Sequence, residues 1–317
     1  MLSLSDFKEK QLLFIQAERG VENKLRFWND NLRFMKDGKV CDQISCYKLF
    51  AVFIIGDISI TSVLLKKAKS YGISLHFLDD RLNAYASLNA QTEGHYLLRQ
   101  RQYDFRDDVN FAKHIVFNKI RNQSALLKEI RAELLFDEKK VLKSVYSCCD
   151  EQELLGVEGN ASKQFFDQYF KHFGWNRRLP RAKLDMHNAL LDIGYHYLFN
   201  FVDGLLRLYG FDTYKGIYHK LFFQRRSLAC DIMEPFRCII DKQIRKSINL
   251  KQFKEADFFV KRGQYFLRYD KNIEYGRVFA DVLIAHQKEI YQYVRDFYRC
   301  LQNQSADYPT FEIHIRG

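Results

Sequence analysis

Proline is almost missing from this chain: 317 residues hold three, Pro180, Pro235 and Pro309. Such scarcity excludes a Pro-rich linker or a low-complexity chain. Cysteine occurs seven times, an odd number, and never as CxxC. A zinc ribbon and a disulfide scaffold are both disfavoured, and the thiols fit a reducing, cytoplasmic setting. Long apolar runs are also missing. The longest, "LFAVFII" at residues 49–55, falls far short of the roughly 20 residues a bilayer span needs. The start, "MLSLSDFKEKQ", lacks the basic-then-apolar layout of a signal peptide. No tandem repeat is visible, and GxxxxGK[ST], HExxH and GxSxG do not occur in a usable context.

Aromatics are plentiful, with 28 Phe and 19 Tyr, and hydrophobic residues make up 47% of the chain. That supplies core for one large domain or two ordinary ones. The net charge is +11, and the first 80 residues, with 12 basic and 10 acidic side chains, carry little of it. The surplus in the remaining chain suits a polyanionic partner such as nucleic acid.

The pattern predicts an α+β fold: a small N-terminal β-rich domain (1–90) followed by a larger, mainly α-helical C-terminal domain (91–317). "QLLFIQ" (11–16), the alternating "KLRFWNDNLRFMKDGKVCDQI" and "LFAVFII" read as strands, with turns at Asp30-Asn31 and Asp37-Gly38. A short helix follows, starting near Ser59 or Thr61. "ISLHFLD" (73–79) and "LNAYASL" (82–88) return to strand. Beyond residue 91 the spacing turns helical, through Phe111, Ile115, Ile120, Leu126, Leu127, Ile130, Leu134 and Leu135. Residues 184–210 read as one long buried helix ending at Gly210. Ser227 is the expected cap of another helix, and a last helix is expected over about 275–301.

Several polar residues sit in apolar surroundings. Glu158 lies between glycines in "GVEGNASKQFF". His219 lies in "GIYHKLFF". Asp231 and Glu234, spaced i,i+3 on one helix face, interrupt "LACDIMEPF". Buried carboxylates demand hydrogen bonds, a cation or a metal. Two or three carboxylates plus one imidazole suit Mg²⁺ or Mn²⁺, and such an ion can activate a hydroxyl or neutralise charge on a phosphodiester. Each residue also has a plainer reading: His219 as a satisfied core histidine, Asp231 in a helix first turn, Glu158 paired with an arginine. The gaps of 61 and 12 residues between Glu158, His219 and Asp231 follow from no local rule. His286 and His314 are isolated and read as structural or surface residues.

Basic residues interleave with aromatics in two places. Arg177, Arg178, Arg181 and Lys183 cluster beside Trp175. Arg245, Lys261 and Arg262 belong to a stretch, 245–277, with nine basic and four acidic residues. Cations neutralise phosphates and exposed rings stack on bases; a solvated surface over core aromatics is the competing reading.

The ordered motifs carry a resemblance. "GVEGNASKQFFDQYF", "RLPRAKLDMHNALLDIGYHYL", "GFDTYKGIYHK" and "SLACDIMEPFR" resemble, in sequence order, the motifs of the CRISPR-associated adaptation integrase family. "GISLHFLDD" (72–80), "LLRQRQY" (97–103) and "AKHIVFNKIRNQ" (112–123) add to the likeness, which spans roughly residues 20–270. The resemblance implies a metal-dependent DNA endonuclease/integrase, prokaryotic and cytoplasmic. It would insert short spacers into a CRISPR array by 3′-OH attack on a phosphodiester. Glu158, His219 and Asp231 match the metal ligands for Mg²⁺ or Mn²⁺. Glu234 matches a supporting acid one turn later, and Asn188, Tyr195 and Arg237 fall around the site. The N-terminal domain would dimerise and the C-terminal domain would bind DNA and catalyse. The implied partners are double-stranded DNA with 3′ overhangs, CRISPR repeat DNA, a second copy of the chain and a small ferredoxin-like CRISPR-associated protein, with no membrane. Pro235 departs from the pattern and predicts that the helix starts near Asp231 or kinks there. A structure-specific DNA nuclease and a non-catalytic nucleic-acid scaffold are the two rival readings of the same residues.

Overall fold

The structure, a computed structural model, describes residues 10–78, 84–88, 95–106, 108–131, 137–175, 177–220 and 222–315. The expected boundary at 90–91, and Leu134 and Leu135, lie outside the described residues. Strands β1 (Gln11–Gln16), β2 (Asn23–Trp28), β3 (Asn31–Lys36), β4 (Lys39–Ser45), β5 (Leu49–Ile55), β6 (Ser59–Ile60), β7 (Ser74–Leu78) and β8 (Ala84–Leu88) build two four-stranded sheets. Their orders are β4-β3-β2-β6 and β1-β5-β7-β8. The β2–β3 and β3–β4 hairpins close at Trp28↔Asn31 and Lys36↔Lys39. Their turn residues take positive φ, 42° and 58° at Asn29 and Asp30, 45° and 75° at Asp37 and Gly38. That turn twist matches the twist of paired strands.

Strand β5 is buried along its whole length, between parallel neighbours β1 and β7. Its side chains alternate between two cores. Val52 and Ile54 pack with Leu25, Leu32 and Leu64 inside the N-terminal part. Phe53 and Ile55 join the large helical core. The strand thus carries one sheet into contact with the other half of the molecule. Helix α1 (Ser62–Ser70) opens with Thr61, whose hydroxyl oxygen accepts from the Leu64 N–H.

The helical part contains α2 (Tyr96–Asp104), α3 (Asp108–Glu129), α4 (Glu138–Ser147), α5 (Glu151–Tyr169), α6 (Met186–Tyr209), α7 (Ser227–Met233), α8 (Arg237–Asn249), α9 (Asn272–Ala285) and α10 (Gln287–Asn303). An antiparallel ribbon, β9 (Phe258–Lys261) and β10 (Gln264–Leu267), interrupts it. The α+β reading therefore holds, with a hairpin inside the helical half that the aromatic-basic stretch did not announce. Helix α6 is bounded by Asp185, which accepts from the Asn188 N–H, and by Gly210 at φ 88°. It docks on the sheet at Gly204, where a side-chain Cβ would come within 3.0 Å of His76 Nε2. His76 stacks on Phe53 at 5.0 Å, and burial pulls its imidazole down to about 4.

Two local expectations change, and the kink expected at Pro235 is present. Ser227 is not the cap of α7: Arg226 holds that position, and Ser227 Oγ donates to the Lys220 carbonyl instead. The expected last helix is two, α9 and α10, meeting at His286, where the backbone leaves helical geometry. Pro235 produces a break: Glu234–Phe236 form one 3₁₀ turn between α7 and α8. A proline has no N–H to donate to the turn before it, so an α-helix cannot run through unbroken. The break sets the direction of Glu234. At the C-terminal end, Asn118 and Asn122 of α3 pair with Phe311 and Ile313 through side-chain amides, strapping that segment onto the helix.

Candidate active site

Glu158 lies in the middle of α5, not in a loop, despite the glycines beside it. Gly156 and Gly159 are exposed, and a Cβ at either would meet no atom within 4 Å. Glycine in a helix interior costs about 1 kcal/mol against alanine, and nothing in the fold demands it here. The consequence is an exposed stretch of α5 without side chains at Gly156 and Gly159.

Asp231 has no exposed surface. Its Oδ2 accepts from the Ile217 N–H at 2.7 Å and the Tyr218 N–H at 3.1 Å. Its Oδ1 accepts from the His219 N–H at 2.9 Å and faces His219 Nδ1 at 2.6 Å. The carboxylate thus folds residues 217–219 around itself. An Nδ1–H donated to an anionic oxygen fixes the neutral ring in the tautomer whose Nε2 carries the free lone pair. His219 is partly exposed, at 20%, so Nε2 is available to a ligand.

Glu158 and Glu234 meet elsewhere, on Lys119 of α3. The Lys119 ammonium lies 2.5 Å from Glu158 Oε1 and 2.8 Å from Glu234 Oε2. Tyr218 donates its hydroxyl to Glu158 Oε2 at 2.5 Å, and Arg237 pairs with Glu234 Oε1 at 2.8 Å. Arg237 in turn covers the ring of Tyr195 at 4.5 Å. Burial opposes charge on Glu234, but Arg237 and Lys119 outweigh it and hold the carboxyl down at about 2. Burial likewise opposes charge on Lys119, and Glu158 and Glu234 outweigh it, raising the ammonium above its ordinary value. Burial, then the Glu158 charge, raises the Tyr218 phenol.

The same donors fit a small divalent cation. Two carboxylates, Glu158 and Glu234, border one spot where a positive charge already stands. Glu234 Oε2 is buried and, although close to Lys119, receives no directed hydrogen bond. In the present arrangement no three His, Cys, Asp or Glu side chains among the described residues draw together tightly enough to grip an ion.

Lys119 and Tyr218 were not singled out from the sequence. The signal for Lys119 was present: it falls four residues after Ile115 on the apolar face of α3, where a lysine needs a buried partner. Asn188 is a frame residue. It accepts from the Leu179 N–H and Arg178, and donates to the Arg177 carbonyl and Asp185. Tyr195 donates to Asp241 at 2.5 Å.

The seven basic candidates separate into groups. Arg178 is tied to Asp192 at 2.6 Å, and Arg245 donates to the Tyr169 carbonyl and lies over the rings of Tyr169 and Phe173. Arg177, Arg181, Lys261 and Arg262 are exposed. Lys183 lies over the ring of Phe266 at 5.3 Å.

The family profile for CRISPR associated protein Cas1 matches residues 20–278. The chain belongs to the Cas1 family. Among curated Cas1 proteins, CRISPR-associated endonuclease Cas1 1 of Thermodesulfovibrio yellowstonii is 29% identical over 253 residues, covering 74% of this chain and 80% of its own. CRISPR-associated endonuclease Cas1 3 of Thermus thermophilus is 28% identical over 216 residues, 65% of each chain. Among solved structures, a Cas1 protein from Thermotoga maritima superposes with TM-score 0.80 at 16% identity, covering 96% of this chain and 100% of that one. A casposase bound to integration product superposes with TM-score 0.81 at 18% identity, covering 97% and 95%. At those identities the likeness shows the fold. The chain also matches, at 25% identity and TM-score 0.76, 36% of a chain in a Cas6-RT-Cas1–Cas2 complex, with 98% of this chain covered. In kind, this Cas1 protein is a nuclease–integrase. Among its described residues, no helix is long and apolar enough to cross a membrane.

Proposed function

We propose that this Cas1 protein joins a DNA 3′-hydroxyl to a phosphodiester of CRISPR repeat DNA in a Mg²⁺- or Mn²⁺-dependent transesterification. The observation that carries the reading is the convergence of Glu158 and Glu234 on one buried positive charge, the Lys119 ammonium. Glu158, Glu234 and His219 would hold the ion. Asp231, whose two oxygens are spent on four donors, acts by orienting His219. The sequence motif alone placed Asp231 among the ligands and Glu234 behind it; the 3₁₀ turn at Pro235 supports exchanging those roles.

When bound, the divalent ion supplies Lewis-acid stabilisation of charge on the phosphodiester. The chain's own residues do the rest. Lys119 holds the two glutamates together, and Arg237 with Lys119 keeps Glu234 ionised. Tyr218 fixes one oxygen of Glu158 and leaves the other turned toward the site. The bare backbone at Gly156 and Gly159 leaves that face of α5 open to a sugar-phosphate chain. The entering 3′-oxygen forms one P–O bond as the departing 3′-oxygen breaks another. The proton lost by the first is regained by the second, so the number of phosphodiesters is unchanged. Water in place of the 3′-hydroxyl gives cleavage.

A second copy of the chain and a small ferredoxin-like CRISPR-associated protein are the proposed partners, with a 3′-overhang duplex as donor. The assay is half-site integration with and without Mn²⁺. Wild type is expected to form the strand-transfer product only with metal, and Glu158→Ala to form none. Cleavage by water alone, with no transfer product even when the partner is present, would mark a nuclease outside spacer integration.

A further inference from the structure

A cavity of about 280 Å³ lies between helices α6 and α9, the β9–β10 ribbon and Arg19 of the N-terminal part. Its wall combines aromatic rings, among them Tyr265, Phe266 and Tyr269, with the cations Arg19, Lys183 and Lys261. No carboxylate lines it. Among the described residues, no acidic side chain lies within ion-pair distance of Lys183 or Lys261. Lys183 lies over Phe266, and Arg19 over Tyr269 at 3.9 Å.

Tyr197 also lines the cavity. It is 95% buried, being 5% exposed, yet its hydroxyl takes no hydrogen bond from any described residue. Gly276 faces it: a Cβ there would come within 2.4 Å of the Tyr197 oxygen. The glycine keeps that hydroxyl clear of the facing helix. Burial alone raises the phenol, so it stays a neutral donor and acceptor.

We propose that this cavity is a binding site for a single nucleotide, separate from the Glu158–Glu234 cluster. Rings match the face of a base, cations match a phosphate, and the Tyr197 hydroxyl matches a polar edge. The volume sits near the lower end of the range for ligand pockets, about 300–1,000 Å³, which suits one nucleotide unit and not a larger molecule. The unit is either a free mononucleotide or one residue of a single strand. The strand source rests on the DNA-handling function proposed above; the free-nucleotide source does not.

The test is titration of the full chain with deoxyadenosine monophosphate by calorimetry, with inorganic phosphate as a control. Millimolar or tighter binding is expected, weakened about tenfold by Phe266→Ala and about fivefold by Tyr197→Phe, with Glu158→Ala unchanged. Circular dichroism checks that each variant is folded. A short single-stranded oligonucleotide that displaces the mononucleotide assigns the site to a strand; failure to displace assigns it to a free nucleotide. No binding by wild type, equal binding of phosphate alone, or binding untouched by both Phe266→Ala and Tyr197→Phe overturns the proposal. Because the titration needs neither metal nor integration, a chain inactive in strand transfer can still pass or fail it.

Discussion

His219 meets Asp231 twice, through its backbone N–H at 2.9 Å and its ring Nδ1 at 2.6 Å, both on the same carboxylate oxygen. Two further backbone donors occupy the second oxygen. Asp231→Asn places an NH₂ group against N–H donors and leaves buried donors unpaired. The expected loss of stability is about 2–4 kcal/mol, since each orphaned buried group costs about 1–3 kcal/mol. Thermal unfolding in a chelating buffer measures this, because there a residue that served only to hold a metal would destabilise nothing when replaced.

Lys119 stands between two acids with 9% of its surface exposed. Lys119→Met leaves Glu158 and Glu234 facing each other without their shared ammonium. Breaking a buried ion pair from one side costs about 3–5 kcal/mol. The variant should unfold earlier in chelator and regain part of the difference in Mn²⁺, whereas wild type should respond less. Equal responses of the two proteins to Mn²⁺ would argue against a cation seat at that spot.

Gly156→Ala and Gly159→Ala each replace a glycine that the fold does not need. Each should stabilise the chain by up to about 1 kcal/mol, read as a rise in Tm. Both should reduce strand transfer by crowding the open face of α5. A pair of variants more stable and equally active would show that the bare backbone serves no ligand.

Asp241 gives a pH signature away from the reacting groups. Burial raises its carboxyl to about 7, against the hydrogen bond from Tyr195 and the charges of Arg237, Arg178 and Lys119. Between the unfolded value, about 4, and about 7, the folded chain holds a proton that the unfolded chain has lost. Stability from this group therefore falls as pH rises through that window and is flat above it. Asp241→Asn keeps an acceptor for Tyr195 and removes the titration. Denaturant unfolding from pH 5 to 8 should show a shallower decline for the variant than for wild type. His76 works in the opposite sense: its imidazole, held at about 4, costs stability as pH falls below its unfolded value of about 6.5.

Most of the fold was legible because its signals are local. Alternation and the Asp37-Gly38 turn marked β3 and β4, and a long, mostly apolar stretch with Gly210 at its end marked α6. The ribbon at 258–267 was hidden because its strands have four residues each and their aromatics mimic a nucleic-acid patch. The division of α9 from α10 at His286 carries no Gly or Pro to announce it. At the site, the motif residues were readable but their directions were not. Asp231 and Glu234 share a helix face in the sequence, yet Pro235 converts the second half of that spacing into a 3₁₀ turn and separates their aims. Lys119, 39 residues before Glu158, could be placed only by the packing of α3 against α5.

The most direct measurement is Mn²⁺ binding followed by electron paramagnetic resonance on wild type, Glu158→Gln, Glu234→Gln and His219→Ala. Weakening by about tenfold or more in each variant, together with loss of the strand-transfer product, is the outcome expected if these three side chains hold the ion. Wild-type affinity in Glu234→Gln, with product still formed, would contradict the account.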